Sequence, residues 1–214
     1  PTSWWRPGLD RIAAQHQVQL DNALPPGRYR LAISVYDPAA GQRWPLTGGH
    51  SDSPDTFFIG PLKVPLPPPA KLPPLLPDPP VFGNEIELLG YRLEPASLTP
   101  GGPVQLELLW QAQTTPTQDY TVFIHLLDEA GNQLDGSDSP PLAGSYPTSI
   151  WSPGERILDP HTLPLPANLP PGSYRLALGW YHQPTGQRLP LSLPDGSPAP
   201  DDRWLLPQPL STGP

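Results

Sequence analysis

The chain has 214 residues, of which 38 are proline and 19 glycine, and its formal net charge at pH 7 is −8. Only 12 residues are Lys or Arg and none of them form a basic run, so we expect binding neither to nucleic acid nor to an anionic membrane surface. Cysteine is absent, which excludes disulfides, thiolate metal ligands and a cysteine nucleophile, and no apolar run approaches the roughly 18 residues that cross a bilayer.

An eight-residue phrase at the start of the chain occurs a second time. PTSWWRPG at residues 1–8 returns as PTSIWSPG at residues 147–154. With one residue counted as an insertion, residues 10–46 align with residues 155–191 without a gap. The densest matches are LPPGRYRLAI with LPPGSYRLAL and GQRWPL with GQRLPL. Such self-similarity is typical of a repeated structural module.

The repeat predicts three segments. Residues 1–63 are interpreted as the C-terminal half of a first module, and residues 82–210 as a complete second one. Residues 64–81 between them are rich in proline and are predicted to be an extended, semi-rigid linker. Because the chain begins with Pro1 rather than Met and in the middle of a repeat, we expect it to be a piece of a longer protein.

Strands are predicted from apolar residues that alternate with polar ones. The predicted strands lie in SYRLALGWYH and its first copy around Tyr29–Val35, in EIELLGYRLEP, in PVQLELLWQA, and in DYTVFIHLLD, which is apolar on both faces and should be central. Short turns with glycine, such as DEAGNQ and HQPTGQ, separate them. No segment shows an apolar stripe of helical period.

The predicted fold is therefore all-β. Short strands separated by turns are typical of an antiparallel β-sandwich, immunoglobulin-like or jelly-roll-like, here with seven to nine strands in the complete module and a half copy before it.

The same segments resemble a known kind of module. Together with LPPGSYRLALGWYHQPTGQRL and DYTVFIHLLDEAGNQLDGSDSPPLAGSYPTSIWSPGERILD, they are similar to the β-sandwich modules in C-terminal regions of large bacterial membrane proteins. Many of those proteins are glycosyltransferase-like, of the dolichyl-phosphate-mannose type. The resemblance implies an extracytoplasmic accessory module, periplasmic or on the cell surface, tethered to the membrane through segments outside this sequence. It assigns no catalytic residue.

The residues themselves give little indication of catalysis. The five histidines are dispersed, and no motif of a hydrolase, metalloprotease or nucleotide-binding loop is present. A Ser-His-Asp group could be drawn from Ser137, His125 and Asp128, but a strand histidine bonded to a neighbour is the simpler interpretation. His161 aligns with a first-copy histidine and is interpreted as a surface or edge residue. No catalytic residue is therefore predicted.

Carboxylates suggest one candidate metal site. Asp128, Asp135 and Asp138 lie in or beside the turn region DEAGNQLDGSDS, and loops of β-sandwiches can bind calcium through carboxylate and carbonyl oxygens. Solvated turn aspartates are the alternative, since Asp favours turns. No cofactor is otherwise predicted.

Tryptophan supports the other candidate site. The chain has seven tryptophans. Trp110 and Trp180 share strand faces with aliphatic residues and are predicted to be core. Within the repeated phrase Trp4 aligns with an isoleucine, and only Trp5 keeps its ring, as Trp151. This ring is either a ligand platform, for a sugar above all, or an apolar plug that closes a corner of the sandwich. The plug is the favoured interpretation.

Two functions follow from these patterns. The first is a non-catalytic accessory or interaction module that contacts neighbouring modules of the same protein. The alternative is a carbohydrate-binding module that takes polysaccharide.

Overall fold

In the computed structural model, the described residues are 6, 13–47, 52–95, 97–193 and 196–212. They form thirteen β-strands and a few short 3-10 turns. None of their helical segments is long and apolar enough to cross a membrane. The strands are β1 Gly27–Ile33, β2 Phe57–Val64, β3 Val81–Phe82, β4 Ile86–Glu94, β5 Ser97–Leu98, β6 Pro103–Ala112, β7 Thr121–Leu127, β8 Gln133–Ser139, β9 Arg156–Pro164, β10 Ser173–His182, β11 Gln187–Arg188, β12 Trp204–Leu205 and β13 Leu210–Thr212.

Two sheets pack face to face in the region 81–212. One has four strands in the order β3-β4-β6-β9. The other follows the path β5-β13-β10-β7-β8, and β11 and β12 also pair with β10. All strand pairs are antiparallel except the short pair of β13 with β5. The predicted all-β, antiparallel sandwich is confirmed, with eleven strands among the described residues of this region, of which six have seven or more residues.

Alternating residues of the long strands fill the space between the sheets. On β6 they are Val104, Leu106, Leu108 and Trp110, and on β10 they are Tyr174, Leu176, Leu178 and Trp180. All are at most 4% exposed. The prediction that Trp110 and Trp180 are core residues is confirmed. At roughly 25 cal/mol for each Å² of apolar surface removed from water, this interior is the main stabilising contribution to the fold.

β7 is the central strand that the sequence predicts. It lies between β10 and β8, and all seven of its residues are buried. The turns that join the predicted strands contain glycine with positive φ, at Gly131 after β7 and at Gly186 after β10. A side chain would strain the backbone at these positions, so glycine fits them.

β1 and β2 form a separate two-stranded sheet. Two ion pairs fix its open end to the sandwich: Arg28 Nη1 lies 3.0 Å from Asp119 Oδ2, and Lys63 Nζ is bonded to Glu155 Oε2. Arg28 and Lys63 are opposite each other in the register of the two strands. Among the described residues of the segment 1–63, one end of the hairpin is thus bonded to the sandwich by ion pairs.

Part of the proline-rich segment follows the edge of β4. Leu75 makes a bridge with Gly90, Leu76 N donates to Leu89 O at 2.8 Å, and Tyr91 N donates to Pro74 O at 3.2 Å. The half of residues 64–81 nearest the sandwich is therefore packed on β4 rather than standing free of it. Proline suits this position, because an edge strand does not need every backbone donor.

Gly90 is expected to be required for this packing. A Cβ at Gly90 would lie 2.3 Å from Pro74 O and 3.0 Å from Leu75 Cα. Gly90→Ala should therefore displace the segment, cost about 1–3 kcal/mol of unfolding free energy and speed tryptic cleavage after Lys71. Gly172→Ala is the matched control, since its Cβ would meet nothing closer than 3.6 Å. Equal cleavage rates in the two variants would contradict the packing described.

Candidate functional site

The second copy of the repeated phrase forms a closed corner of the sandwich. Trp151 follows a 3-10 turn, Thr148–Ile150, and has no exposed surface. Its ring lies edge-on to Trp180, with centroids 5.9 Å apart, and its Nε1 donates to Tyr146 O at 3.1 Å. Burying an indole while its N–H keeps a partner is what a plug requires. The burial expected of Trp151 is confirmed.

The platform interpretation fails for Trp151, because a ring without exposed surface presents no face to a ligand. Trp4 and Trp5 lie outside the described residues, so ligand binding by either ring stays a prediction.

A polar cluster caps this corner. Glu155 accepts hydrogen bonds from Tyr146 Oη at 2.5 Å, from Ser152 N at 2.7 Å and from Lys63 Nζ. Burial opposes ionisation of Glu155, but these donors outweigh it and lower the pKa of the carboxyl. Burial, with Glu155 beside it, raises the pKa of the Tyr146 hydroxyl. The cluster is thus an ionised carboxylate held by three donors, one of which comes from the hairpin.

Each of the three candidate calcium ligands accepts a hydrogen bond from a protein donor. Asp128 accepts Asn132 N at 2.8 Å and Asn132 Nδ2 at 2.9 Å, which closes the β7–β8 turn. Asp135 accepts Gly136 N at 2.7 Å, and Asp138 accepts Tyr181 Oη at 3.0 Å. Within the described ranges no group of three or more His, Asp or Glu side chains could hold a metal ion. A metal site formed by these three aspartates is therefore not supported.

The hypothetical Ser-His-Asp group does not assemble either. His125 is opposite Gly136 in the register, while Ser137 is opposite Ile124, a core residue. Adjacent register positions project to opposite faces of a sheet, so His125 and Ser137 lie on different sides. His125 instead packs on Phe123, with ring centroids 4.7 Å apart, and burial lowers its pKa.

His161 is the histidine that sequence reasoning misplaced. It is on β9, an edge strand as expected, but it is only 7% exposed and not a surface residue. Its Nε2 is 2.8 Å from Asp159 Oδ2, and the other oxygen, Asp159 Oδ1, accepts Leu142 N at 2.9 Å. Buried polar groups need such partners. The pair fixes the 141–144 turn on β9 rather than forming a reactive site.

A groove of about 610 Å³ lies at the end of the proline-rich segment. We call it the Trp204 groove. Residues 77–85 form one wall, residues 189–193 the other, and Trp204 on β12 closes it. The half-buried Trp204 ring is held edge-on against Tyr91, with centroids 5.9 Å apart. This volume is in the range of small-molecule sites, which combine an apolar lining with a few polar groups.

A second, smaller depression shares Leu189 and Pro190 with this groove. It measures about 400 Å³ and is lined mostly by polar side chains. Its other lining residues are Thr117, Gln118, Tyr120, His182, Thr185, Gln187 and Arg188. Thr117 Oγ1 lies 3.0 Å from Tyr120 Oη and donates to Glu85 Oε1 at 3.0 Å. The groove offers an aromatic ring, and the second depression offers hydroxyl, amide and guanidinium groups. Together the two depressions form a face with both apolar and hydrogen-bonding groups. Sequence reasoning missed this face, because its walls are distant in the chain.

The comparisons with known proteins identify no family. The chain matches no family model, and none of the curated proteins match it. Among solved structures it is similar to the C-terminal domain of wzt, with 19% identity and a TM-score of 0.44, over 67% of this chain and 83% of that one. It is also similar to Spo0M, a sporulation control protein from Bacillus subtilis, with 14% identity and a TM-score of 0.34, over 61% of this chain and 49% of that one. Likeness at this level carries no argument about function.

Trp151 is expected to matter for stability. Trp151→Ala should lower the unfolding free energy by about 3–5 kcal/mol, because it leaves a cavity beside Trp180 and removes the bond to Tyr146 O. Chemical denaturation followed by far-UV circular dichroism measures this. Trp44→Ala is the control, since Trp44 is 48% exposed and its loss should cost little. Equal stability losses in the two variants would contradict the plug.

Proposed function

We propose that the chain is a non-catalytic, extracytoplasmic accessory module that works through contacts with neighbouring modules of a larger protein. One observation carries the proposal: the corner of the sandwich around Trp151 binds another segment. Arg28 and Lys63 of the hairpin reach Asp119 and Glu155, and Arg28 Nη1 also donates to Ser149 Oγ at 3.3 Å. The repeated phrase thus combines a buried plug with a polar outer side that receives the preceding segment.

The longer protein belongs to the same proposal. A membrane-tethered, glycosyltransferase-like parent is supported by the sequence resemblance alone. In such a protein this module would lie outside the cytoplasm, and catalysis would belong to another part of the chain.

The pH dependence of hairpin docking tests the accessory role. Because Glu155 has a pKa below its usual 4.5, its stabilising contribution is complete above pH 4.5 and is lost as the pH falls through the lowered pKa. Pepsin is active in acid, so peptic cleavage and hydrogen exchange of the hairpin can both be followed as the pH falls. We expect β1 and β2 to lose protection on acidification before β6 and β10 do.

Two variants, Lys63→Met and Arg30→Gln, complete this test. Lys63→Met should release the hairpin at neutral pH and leave the sandwich folded. Arg30→Gln is the control, since Arg30 pairs with Asp52 in the loop between β1 and β2 and lies over the Phe58 ring of β2. If Lys63→Met unfolds the sandwich together with the hairpin, the hairpin is part of that domain and not a docked neighbour.

A second candidate function is carbohydrate binding at the Trp204 groove. The observation that favours it is the half-buried indole beside a polar depression, because a sugar ring offers a C–H face for stacking and hydroxyls for hydrogen bonds. The groove therefore replaces the Trp151 corner as the place where this module would bind polysaccharide.

A glycan array of bacterial polysaccharide fragments tests this candidate, followed by calorimetric titration of any oligosaccharide that binds. Trp204→Leu should weaken binding about fivefold or more, since an aromatic contact contributes about 1 kcal/mol beyond its burial. Ser192→Arg, at an exposed position of the groove wall, should block the site without touching the core. Trp44→Leu is the exposed control. Binding that survives both groove variants would contradict this location.

A further inference from the structure

The hairpin repeats the contacts of the sandwich strand β10. Its register with β2 matches the register of β10 with β12 and β13 once one residue is counted as an insertion between Leu206 and Leu210. The corresponding pairs are Tyr29 with Leu62 and Tyr174 with Leu210, then Ile33 with Phe57 and Leu178 with Trp204. The register of a hairpin is set by the type and length of its own turn, so an unrelated hairpin would not be expected to share this register.

Hydrogen bonds outside the strands are repeated as well. Tyr29 Oη donates to Pro25 O at 2.7 Å, as Tyr174 Oη donates to Pro170 O. Trp44 N donates to Val35 O at 2.8 Å, and at the aligned positions Leu189 N donates to Trp180 O at 2.9 Å. The isolated bridge of Tyr36 with Arg43 corresponds to the pairing of Tyr181 with Arg188. The hairpin and its flanking turn therefore have the local structure of a half sandwich.

Burial is where the two copies differ. Ile33 is 43% exposed and Val35 52% exposed, although Leu178 and Trp180 at the aligned positions have no exposed surface. The same contrast holds for other apolar residues of this face: Trp44, Leu46, Ile59 and Leu62 are 40–48% exposed, whereas Leu189, Leu191, Leu206 and Leu210 are at most 7% exposed. An apolar face of this extent is costly in water and is typical of an interaction surface.

The missing cover can be identified from the complete module. There β10 pairs along its other edge with β7, from Arg175 opposite Leu127 to Tyr181 opposite Thr121. In the described part of the chain, β1 pairs with β2 alone. The opposite sheet of the sandwich, which includes β4 and β6, covers the core face of β10. β7 and three strands of the opposite sheet, β3, β4 and β6, all precede Tyr146. Only β9 of that sheet follows it.

We infer that the free edge and apolar face of β1 receive a first half-module equivalent to residues 82–146, supplied in cis by the longer protein. A strand apolar on both faces, like β7, pairs antiparallel with β1, and strands like β4 and β6 cover Ile33 and Val35. An unpaired edge next to exposed apolar side chains favours such strand addition. The inference rests on the longer protein of the proposed function, but not on what the module binds.

A fusion made from the chain's own sequence tests the inference. Residues 82–146 are placed directly before Pro1, so that Tyr146 is followed by PTSWWRPG as it is followed by PTSIWSPG in the chain. Hydrogen exchange followed by mass spectrometry compares β1 in the fusion and in the unfused chain. We expect exchange of the β1 amides to slow by about 100-fold or more, toward that of β10, in a monomeric fusion.

Two controls keep the test decisive. Ile124→Asp in the added copy alone should abolish the gain and leave β10 unchanged. In the unfused chain, Val35→Lys should leave the melting temperature unchanged, because Val35 is already exposed. The inference is overturned if Val35→Lys destabilises the unfused chain, if the fusion leaves β1 exchange as fast as before, or if the Ile124→Asp fusion protects β1 equally. A concentration-dependent dimer of the unfused chain that protects β1 would show a second copy as the occupant instead.

Discussion

The packing of three indole rings between the sheets is the interaction on which the rest of the sandwich depends. Trp110 comes from the four-stranded sheet and Trp180 from the other, and their ring centroids are 4.7 Å apart. Trp151 packs on Trp180 from the corner between them. Because Trp151 also bonds to Tyr146 O, the position of the core fixes the position of the loop before it. Core packing thus determines where Tyr146 and Glu155 lie, and with them the docking point of the hairpin.

The corner around Trp151 and the Trp204 groove differ in what their residues contact. The corner around Trp151 holds the fold together and connects the sandwich to the preceding segment through two ion pairs, of which Lys63–Glu155 is partly buried and Arg28–Asp119 is more exposed. The Trp204 groove has its indole partly accessible, and Asp78, Asn84 and Ser192 on its walls are exposed. A ligand at the groove would therefore leave the core contacts of the corner in place. Such a division suits the accessory role proposed above.

The sequence predicted the strands whose apolar residues alternate, and it missed those that follow other rules. β6, β7 and β10 carry long apolar patterns and were predicted near their observed bounds. β8 is a polar edge strand, and β9 contains Pro160 and the buried pair Asp159–His161, so neither shows an alternating pattern. Edge strands tolerate proline and polar residues because one side of the backbone is not paired within the sheet.

The candidate sites, too, could be predicted from the sequence only in part. The burial of Trp151 follows from its apolar neighbours and the turn beside it, so it could be predicted. The aspartates near β8 could not be assigned from spacing, because each accepts a hydrogen bond from a different donor: Asp128 from Asn132, Asp135 from Gly136 and Asp138 from Tyr181. The Trp204 groove depends on residues 77–85 meeting residues 189–193, which is a property of the folded chain and has no local signal.

The central claim is that the Trp151 ring is structural and that, in the proposed carbohydrate-binding role, the ligand would bind at the Trp204 groove. The indole N–H resonances of a ¹⁵N-labelled chain, followed while a binding oligosaccharide is added, test it most directly. The account predicts that the Trp204 signal shifts and that the Trp151 signal stays in place and exchanges slowly with solvent. A Trp151 N–H that exchanges rapidly, or that shifts with the sugar while Trp204 does not, would contradict it.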